Sequence, residues 1–175
     1  MERMGRRERG RTNRGSGPIV NIRPAQAEDY EALCSVLAEA DLMHRSALPD
    51  LFRVTEGPAR DREYIADIIA SENSVIMMAE IKGELVGALE ARILEAPAIP
   101  IMVPRRYAVV DNVVVKQEHR RLGIGRALMD QAHHWAKDRG VSQIELSVYE
   151  FNKPALSFYR KLGYRTTSRR LRKTL

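Results

Sequence analysis

Arg120-Arg121-Leu122-Gly123-Ile124-Gly125-Arg126 is the stretch that decides how this chain folds. It separates a run of β-forming residues, Tyr107 to Val115, from a run with helical periodicity, Gly125 to Arg139. A glycine-rich turn at this place presents backbone N–H groups at the positive end of a helix dipole, and glycine has no Cβ to keep an anion away. The arginines add positive charge. The stretch therefore predicts a seat for a phosphate-bearing ligand, with an ordinary strand-to-helix turn as the alternative.

The spacing of the same residues excludes two common nucleotide sites. The sequence lacks the Gly-Lys-Ser/Thr that holds a metal-bound nucleoside triphosphate. Gly123-Ile124-Gly125 also lacks the third glycine of a dinucleotide-binding turn. Neither ATP nor NAD fits this loop.

Outward from this stretch, apolar periodicity predicts alternating strands and helices. Before it we expect a strand at 19–23, helices at about 27–41 and from Pro58, a hairpin of 75–81 and 85–94, and a proline-rich excursion at 96–106. Residues 41–57 are typical of a loop or broken helix. After it we expect a strand at 141–149, a helix from Asn152 to Gly163, and a terminal strand at 164–175. The order β-α-α-β-β-β-α-β-α-β indicates an α/β (α+β) domain with a mixed sheet and helices on its faces.

Composition and length are those of one globular domain. The 175 residues are 44% hydrophobic and 30% charged, which is enough for one sizeable core. Cys34 is the only cysteine, so no disulfide forms within the chain, and no spacing of Cys and His predicts a metal site. No apolar run is long enough to span a bilayer, and the first residues contain no signal-peptide core. We therefore expect a cytoplasmic protein without a membrane partner.

Positive charge is concentrated at the two ends of the chain. Residues 1–17 carry six arginines against two glutamates, which supplies +4 of the net charge of +6. Such a segment cannot offset its ordering entropy by burial, so we expect a disordered basic arm at 1–17 ahead of a domain at 18–175. A solvated arm is favoured over a tether to nucleic acid or to a membrane surface. The second basic cluster, at 165–173, is expected on the solvent face of the terminal strand.

Two longer motifs make the interpretation specific. Val110-Asp111-Asn112-Val113-Val114-Val115, followed by His119 to Leu128, resembles the acetyl-CoA motif of the GNAT superfamily of N-acetyltransferases. Asn152-Lys153-Pro154-Ala155 and Phe158 to Tyr164 resemble the element that follows in that family. The resemblance runs from about Ile19 to Leu175 and is strongest between 107 and 164. It implies a single domain with a mixed, mostly antiparallel sheet, helices on both faces and a splayed central strand pair.

The resemblance also assigns residues to the binding of acetyl-CoA as co-substrate. Pantetheine would enter the gap between two splayed strands, with Val113, Val114 and Val115 on one side and 144–149 on the other. The pyrophosphate would be held by the loop residues Arg120, Arg121, Leu122, Gly123, Ile124, Gly125 and Arg126. Asn152 would position the pantetheine arm or an ordered water. No metal is required.

Amide formation requires a neutral amine, a donor for the oxyanion and an acid for the leaving thiolate. A free alkylamine has a pKa near ~10, so a base or desolvation must help at neutral pH. Asp111 matches the position where some small-amine members of the family carry a carboxylate base, and a carboxylate bonded to loop backbone is equally compatible. Glu90 is the second candidate base. Tyr159 matches the family's usual general acid, with a packed aromatic as its alternative, and the N–H of Val113 or Val114 would bind the oxyanion.

The resemblance implies N-acetyl transfer from acetyl-CoA to a primary amine, by direct attack in a ternary complex. The loops expected to choose the acceptor are 41–57 with His44, 96–106 and the hairpin, and their residues are not diagnostic. A small-molecule amine is favoured over a peptide N-terminus or a protein lysine. The alternatives are a peptide or protein N-acetyltransferase, and an acyl-CoA-binding or nucleic-acid-tethered module without turnover. A homodimer through the C-terminal strand is a family-level expectation.

Overall fold

A computed structural model describes residues 18–175, so the arm expected at 1–17 lies outside the described residues. The helices and strands follow one another as β1 Asn21–Pro24, α1 Tyr30–Ala47, α2 Arg62–Ala70, β2 Ser74–Ile81, β3 Glu84–Glu95, β4 Arg106–Val115, α3 Ile124–Asp138, β5 Ile144–Leu146 and α4 Lys153–Lys161. Short 3₁₀ turns at Ala27–Asp29 and Gln117–His119 lead into α1 and out of β4. The strand-to-helix turn between β4 and α3 is the loop on which the sequence interpretation rests.

The sheet has the strand order β1-β2-β3-β4-β5. The first four strands are antiparallel, and β5 runs parallel to β4. β4 pairs with β5 only from Ala108 opposite Ile144 to Val110 opposite Leu146, whereas it stays paired with β3 as far as Val115. The far half of β4 therefore has an open edge. The predicted mixed sheet and the splay of the central pair are both confirmed.

Helices cover both faces of the sheet, as predicted. On one face α1 and α2 bury side chains such as Leu33, Val36 and Ile65 against strand residues that include Met78 and Ala88. On the other face α3 contributes the buried side chains Ile124, Leu128, Met129 and Trp135. The sheet is thus the middle layer, and a site in its splay is reachable from both faces.

Local chemistry explains several of the predicted boundaries. The β2–β3 hairpin turns through Lys82 and Gly83, both at positive φ (52° and 81°), which is the geometry of a type I′ turn. Gly140, at φ 72°, follows the end of α3 and accommodates the left-handed conformation that ends helices. At the start of α4 the Asn152 side chain accepts a hydrogen bond from the Ala155 N–H at 3.1 Å.

Four predictions about elements are wrong. Residues 164–175 form no strand. Their large aliphatic side chains, Leu171 and Leu175, are fully exposed, so the segment has no apolar face to bury. The terminal edge strand on which the basic cluster and a dimer contact were expected is therefore not formed. α1 continues to Ala47, so His44 lies in a helix. α2 begins at Arg62 and not near Pro58, because the Asp61 carboxylate caps the Tyr64 N–H at 2.8 Å. β5 is limited to three residues because β4 diverges from it.

Candidate functional site

The loop before α3 leaves a set of backbone donors open. Arg121 (φ 67°) and Gly123 (φ 86°) adopt left-handed conformations, and they reverse the chain just ahead of the helix. The first helical hydrogen bond joins the Ala127 N–H to the Gly123 carbonyl at 3.0 Å. Within residues 18–175 the N–H groups of 122–126 have no acceptor. The loop therefore offers consecutive donors at the positive end of the α3 dipole.

The three arginines of this loop have two different environments: one is bonded to the protein, and two are exposed to solvent. Arg120 donates from Nε to the Val115 carbonyl at 3.0 Å and pairs with the Glu39 carboxylate of α1 at 3.3 Å. Glu39 also accepts the Gln117 N–H at 3.0 Å, so this contact ties the loop to α1. Arg121 and Arg126 are exposed and form no ion pair with the described part of the chain. They are the cations available to an anionic ligand.

The register of β4 decides which backbone groups face the gap. Lys116 N–H donates to the Val86 carbonyl of β3 at 2.9 Å. Because backbone groups alternate in direction along an antiparallel strand, Val114 N–H also points to β3, opposite Ala88. The N–H groups of Val113 and Val115 consequently point into the open gap. The Val114 side chain is buried against the α1–α2 face.

Tyr159 packs on the α3 side of the sheet. Its ring lies 5.2 Å from the Phe158 ring and 5.7 Å from the Tyr164 ring, centroid to centroid. Burial raises the pKa of Tyr159 to about 12, and its hydroxyl has no hydrogen-bond partner within residues 18–175. The Phe158 ring packs beside Gly125, where a Cβ on residue 125 would lie 3.5 Å from the ring. This contact brings α4 alongside the phosphate loop.

Glu90 lies on the opposite face and is the charged residue that the structure buries most deeply among those described, at 6% exposure. Its carboxylate accepts hydrogen bonds from the Tyr64 hydroxyl at 3.0 Å and from the Asn112 amide at 2.8 Å. Burial, together with the nearby Glu90 charge, raises the pKa of Tyr64. Within residues 18–175 Glu90 has no ion-pair partner. A carboxylate that is buried, hydrogen-bonded and without a cation favours the approach of a cationic ligand.

Asp111 has a different environment from Glu90. It is the extra residue of a β-bulge, because Glu90 pairs with Asn112 while the next residue, Ala91, pairs with Val110. Its carboxylate forms two contacts with the Arg92 guanidinium, at 2.9 and 3.1 Å. The structural alternative considered from sequence, bonding to loop backbone, is thus replaced by an ion pair across to β3. Of the two candidate bases, Asp111 has a cationic partner and Glu90 does not.

A cleft of about 540 Å³ opens between α2 and the β3–β4 pair. Tyr64, Glu90, Arg92, Asp111 and Asn112 line it. Three features follow one another along β4. The loop with the free backbone N–H groups comes after Val115, the open strand edge runs from Val115 back to Val113, and this cleft lies beyond it. At about 3.3 Å per residue, the three residues from Val115 to Asn112 span about 10 Å. The strand therefore connects an anion seat with a polar cleft.

Two further predicted residues lie near the end of β5. Asn152 caps α4 through its carbonyl oxygen, which leaves its amide nitrogen 3.9 Å from the Met43 sulfur of α1. His44 belongs to an aromatic cluster whose other members are Phe52, Tyr149 and Phe151, with centroids 5.3, 5.6 and 5.9 Å from its ring. The cluster joins the end of α1 to the β5–α4 connection, and it lies apart from the residues that line the cleft.

The sequence interpretation missed the residues that hold the carboxylates. Tyr64 lies in the apolar periodicity that predicts the second helix, and Arg92 is an exposed residue of β3. Asn112 belongs to the quoted motif, but nothing in a single sequence indicates that its amide meets Glu90 across the strands. Glu39, the partner of Arg120, looks like any exposed helical glutamate. None of these residues carries a signal without the tertiary structure.

The fold and the site agree with the comparisons to known families. The sequence model of the Acetyltransferase (GNAT) family matches residues 42–164, which is more than half of the chain. The chain therefore belongs to the GNAT family of acetyltransferases and is an acyltransferase.

Individual relatives are distant but consistent. The chain is 27% identical to an N-alpha-acetyltransferase of Sulfurisphaera tokodaii, across 85% of this chain and 82% of the relative. It is 30% identical to a streptothricin acetyltransferase of Escherichia coli, but spans only 54% of that protein. Among solved structures, a tetramutant of the BH1408 protein of Bacillus halodurans superposes with a TM-score of 0.84 at 25% identity, covering 89% of this chain and 99% of that one.

Across the described range, 18–175, no helix combines the length and apolarity needed to cross a membrane. The same residues hold no group of three or more His, Cys, Asp or Glu side chains arranged to bind a metal ion.

Proposed function

We propose that this acetyltransferase moves the acetyl group of acetyl-CoA to the primary amine of a small molecule, by direct attack within a ternary complex. The observation that carries the proposal is the order of features along β4. Open backbone donors lie at one end, an unpaired strand edge follows, and a buried carboxylate without a cation lies where that edge meets a cleft. These are the three environments that a phosphorylated acyl donor, its thioester and a cationic acceptor require.

The loop fits the pyrophosphate of coenzyme A. The N–H groups of 122–126 would donate to the phosphate oxygens, and Arg121 and Arg126 would balance their charge. Glycine suits position 123 because a φ of 86° would be strained for any residue with a Cβ. The space around Gly123 is also open, so a phosphate could approach its backbone. Arg120 would act indirectly, by holding the loop against Val115 and Glu39. The pantetheine arm would add to the open edge at Val113 and Val115, as a strand would.

The chemistry would use residues on both faces of the sheet. Glu90 would accept the proton of the incoming ammonium, and the freed amine nitrogen would attack the thioester carbon. The N–H of Val113, rather than that of Val114, would stabilise the oxyanion. As the carbon–sulfur bond breaks, the sulfur would take the hydroxyl proton of Tyr159. The attacking nitrogen would lose its second proton to water as the tetrahedral intermediate collapses, and water would return a proton to the Tyr159 oxygen. The products are the N-acetyl amine and free coenzyme A thiol, and the proton held by Glu90 is released to solvent.

Asp111 would serve as a positioning residue in this scheme. Its ion pair with Arg92 fixes the bulge that turns the Asn112 amide toward Glu90. The Asp111 carboxylate is already engaged by two guanidinium contacts, whereas Glu90 has no cationic partner within residues 18–175. Asn152 would contribute by capping α4 and so holding Tyr159 in place.

A second acceptor class is favoured by one observation. The relative from Sulfurisphaera tokodaii is an N-alpha-acetyltransferase, which makes a peptide or protein α-amine the alternative acceptor for this chain. The cleft favours a small molecule, because its volume of about 540 Å³ is within the range of small-ligand sites.

A thiol-release assay tests the proposal. The full chain with acetyl-CoA is mixed in turn with amino alcohols, amino sugars, diamines, amino acids and short peptides. We expect amine-dependent release of coenzyme A with at least one small amine, and mass spectrometry of the product to show one added acetyl group. Turnover of peptides alone would establish the second candidate. Binding of acetyl-CoA without turnover of any amine would establish a binding module instead.

A further inference from the structure

The cleft beside Glu90 carries a charge pattern that restricts its ligand. We propose that it selects primary amines that bear a single positive charge together with hydroxyl or amide groups, and rejects diamines and polyamines. The inference rests on the proposed function, because it concerns the acceptor of the same reaction. It goes further by naming the class of amine.

The charged groups of the cleft leave one carboxylate without a cation. Among its lining residues the charged side chains are Glu90, Arg92 and Asp111. Arg92 and Asp111 neutralise each other through contacts of 2.9 and 3.1 Å. Arg60, whose charge acts on Tyr64, is itself paired with Asp41 at 2.8 Å. Glu90 is therefore the single uncompensated charge among the residues that line the cleft in the described part of the chain.

The burial of Glu90 makes the number of positive charges on the ligand important for binding. At 6% exposure its charge is poorly screened by water, so one ammonium group entering the cleft is strongly favoured. A second ammonium on the same molecule would find only Asp111, which already binds Arg92. Its desolvation would then be uncompensated, and the diamine would bind less well than a matched monoamine.

One wall of the cleft is lined by polar side chains without charge, and the Arg106 guanidinium contacts one of them, Asn73. Ser71, Asn73 and Ser74 lie there, between α2 and β2. The side-chain amide oxygen of Asn73 accepts a hydrogen bond from Arg106 at 2.7 Å, and the Ser74 hydroxyl donates to the Ile68 carbonyl at 2.9 Å. The amide nitrogen of Asn73 and the lone pairs of Ser74 remain for a ligand. Hydroxyl and amide groups match this wall, whereas an ammonium group does not.

A pair of isosteric amines provides the test. The kcat/KM of the full chain is measured with 4-amino-1-butanol and with 1,4-diaminobutane at saturating acetyl-CoA, beside amino sugars and polyamines as larger members of the two classes. We expect the singly charged amine of each pair to be preferred by about tenfold. Equal rates, or preference for the diamine, would overturn the inference and leave the proposed function standing.

The variant Arg92→Gln tests the cause of the preference. It leaves Asp111 as a second uncompensated carboxylate, so the ratio of diamine to monoamine is expected to rise by about tenfold. The Arg92 side chain is half exposed, at 53%, so the substitution leaves no cavity in the core. Because it also removes the ion pair that holds the bulge, the readout is the ratio of the two amines and not either absolute rate. Asp111→Asn is the complementary variant, since it removes the second carboxylate and is expected to leave the monoamine preferred.

The remaining outcomes separate the charge selectivity of the cleft from the proposed acetyltransferase function. An unchanged ratio in Arg92→Gln, with both variants folded by circular dichroism, would contradict the charge count. If acetyl-CoA binds to the wild-type chain but no amine of either class releases thiol, the proposed function fails, and this inference fails with it.

Discussion

The two ends of the site differ in how the chain builds them. The end proposed to bind the acetyl donor is one loop of seven consecutive residues, 120–126, placed by the strand before it and the helix after it. The acceptor end draws Tyr64 from α2, Glu90 and Arg92 from β3, and Asn112 from β4. The donor end is therefore a local structure that one motif encodes, whereas the acceptor end exists only in the folded sheet. In the function that we propose, the acetyl-CoA site and the acceptor cleft are therefore built from separate sets of residues.

This division predicts that the two ends fail independently. Damage to the acceptor end should stop turnover without weakening donor binding. Damage to the donor loop should weaken donor binding by a factor that does not depend on the amine.

The largest effect is expected from Glu90→Gln. The amide keeps the shape and one acceptor oxygen but cannot take the proton of the ammonium, so we expect kcat/KM for the amine to fall by about 10³-fold. Glu95→Gln is the matched control, because Glu95 is an exposed glutamate at the end of the same strand. Steady-state thiol release measures both variants. A similar loss in the two variants, or none in Glu90→Gln, would remove Glu90 as the base.

Tyr159→Phe is expected to lower kcat by about 10²-fold, because the leaving thiolate loses its proton donor while the ring packing is retained. Tyr164→Phe is the control, since it removes a neighbouring hydroxyl that bonds His133 at 2.9 Å. We expect kcat to change little in this control. A loss of kcat that appears in the control and not in Tyr159→Phe would reassign the acid.

Gly123→Ala is expected to weaken acetyl-CoA binding by about tenfold. A Cβ strains the positive φ and intrudes on the phosphate seat. Gly140→Ala is a close control at the other end of α3, with φ 72° and equally open surroundings. Both substitutions should lower the free energy of unfolding by about 1–2 kcal/mol, but only the first should change the Kd. Equal losses of affinity would mean that the loop acts through stability alone.

The smallest expected effect concerns pH. A phenol with an ordinary pKa near ~10 would begin to lose its proton, and the rate would fall, above about pH 9. Burial raises the pKa of Tyr159 to about 12, so its protonated form persists through that range. We therefore expect kcat to stay within about twofold between about pH 9 and pH 10. A decline that disappears in Tyr159→Phe would show that the hydroxyl is better solvated than its packing indicates.

The same division explains what the sequence could predict. The β4–loop–α3 unit, the hairpin at Lys82 and Gly83, and the Asn152 cap depend on contacts within a few residues, and single-sequence patterns encode such contacts. The strand predicted after Tyr164 failed because alternation alone does not guarantee a buried face.

The environment of the carboxylates could not be predicted for a related reason. Asp111 and Glu90 look equivalent in a sequence, since each is an acid within an apolar strand. The bulge at Asp111 and the contact with Arg92 separate them only when β3 and β4 pair. The sequence therefore identified the family, but it ranked the two candidate bases in the opposite order to the one we propose.

The central claim is that the donor and acceptor ends are energetically separate. Calorimetric titration of acetyl-CoA into the Glu90→Gln variant tests it most directly. We expect the same Kd as for the wild-type chain, in a protein that no longer acetylates amines. A Kd weakened by tenfold, as expected for Gly123→Ala, would contradict the claim, because Glu90 would then be part of the donor site.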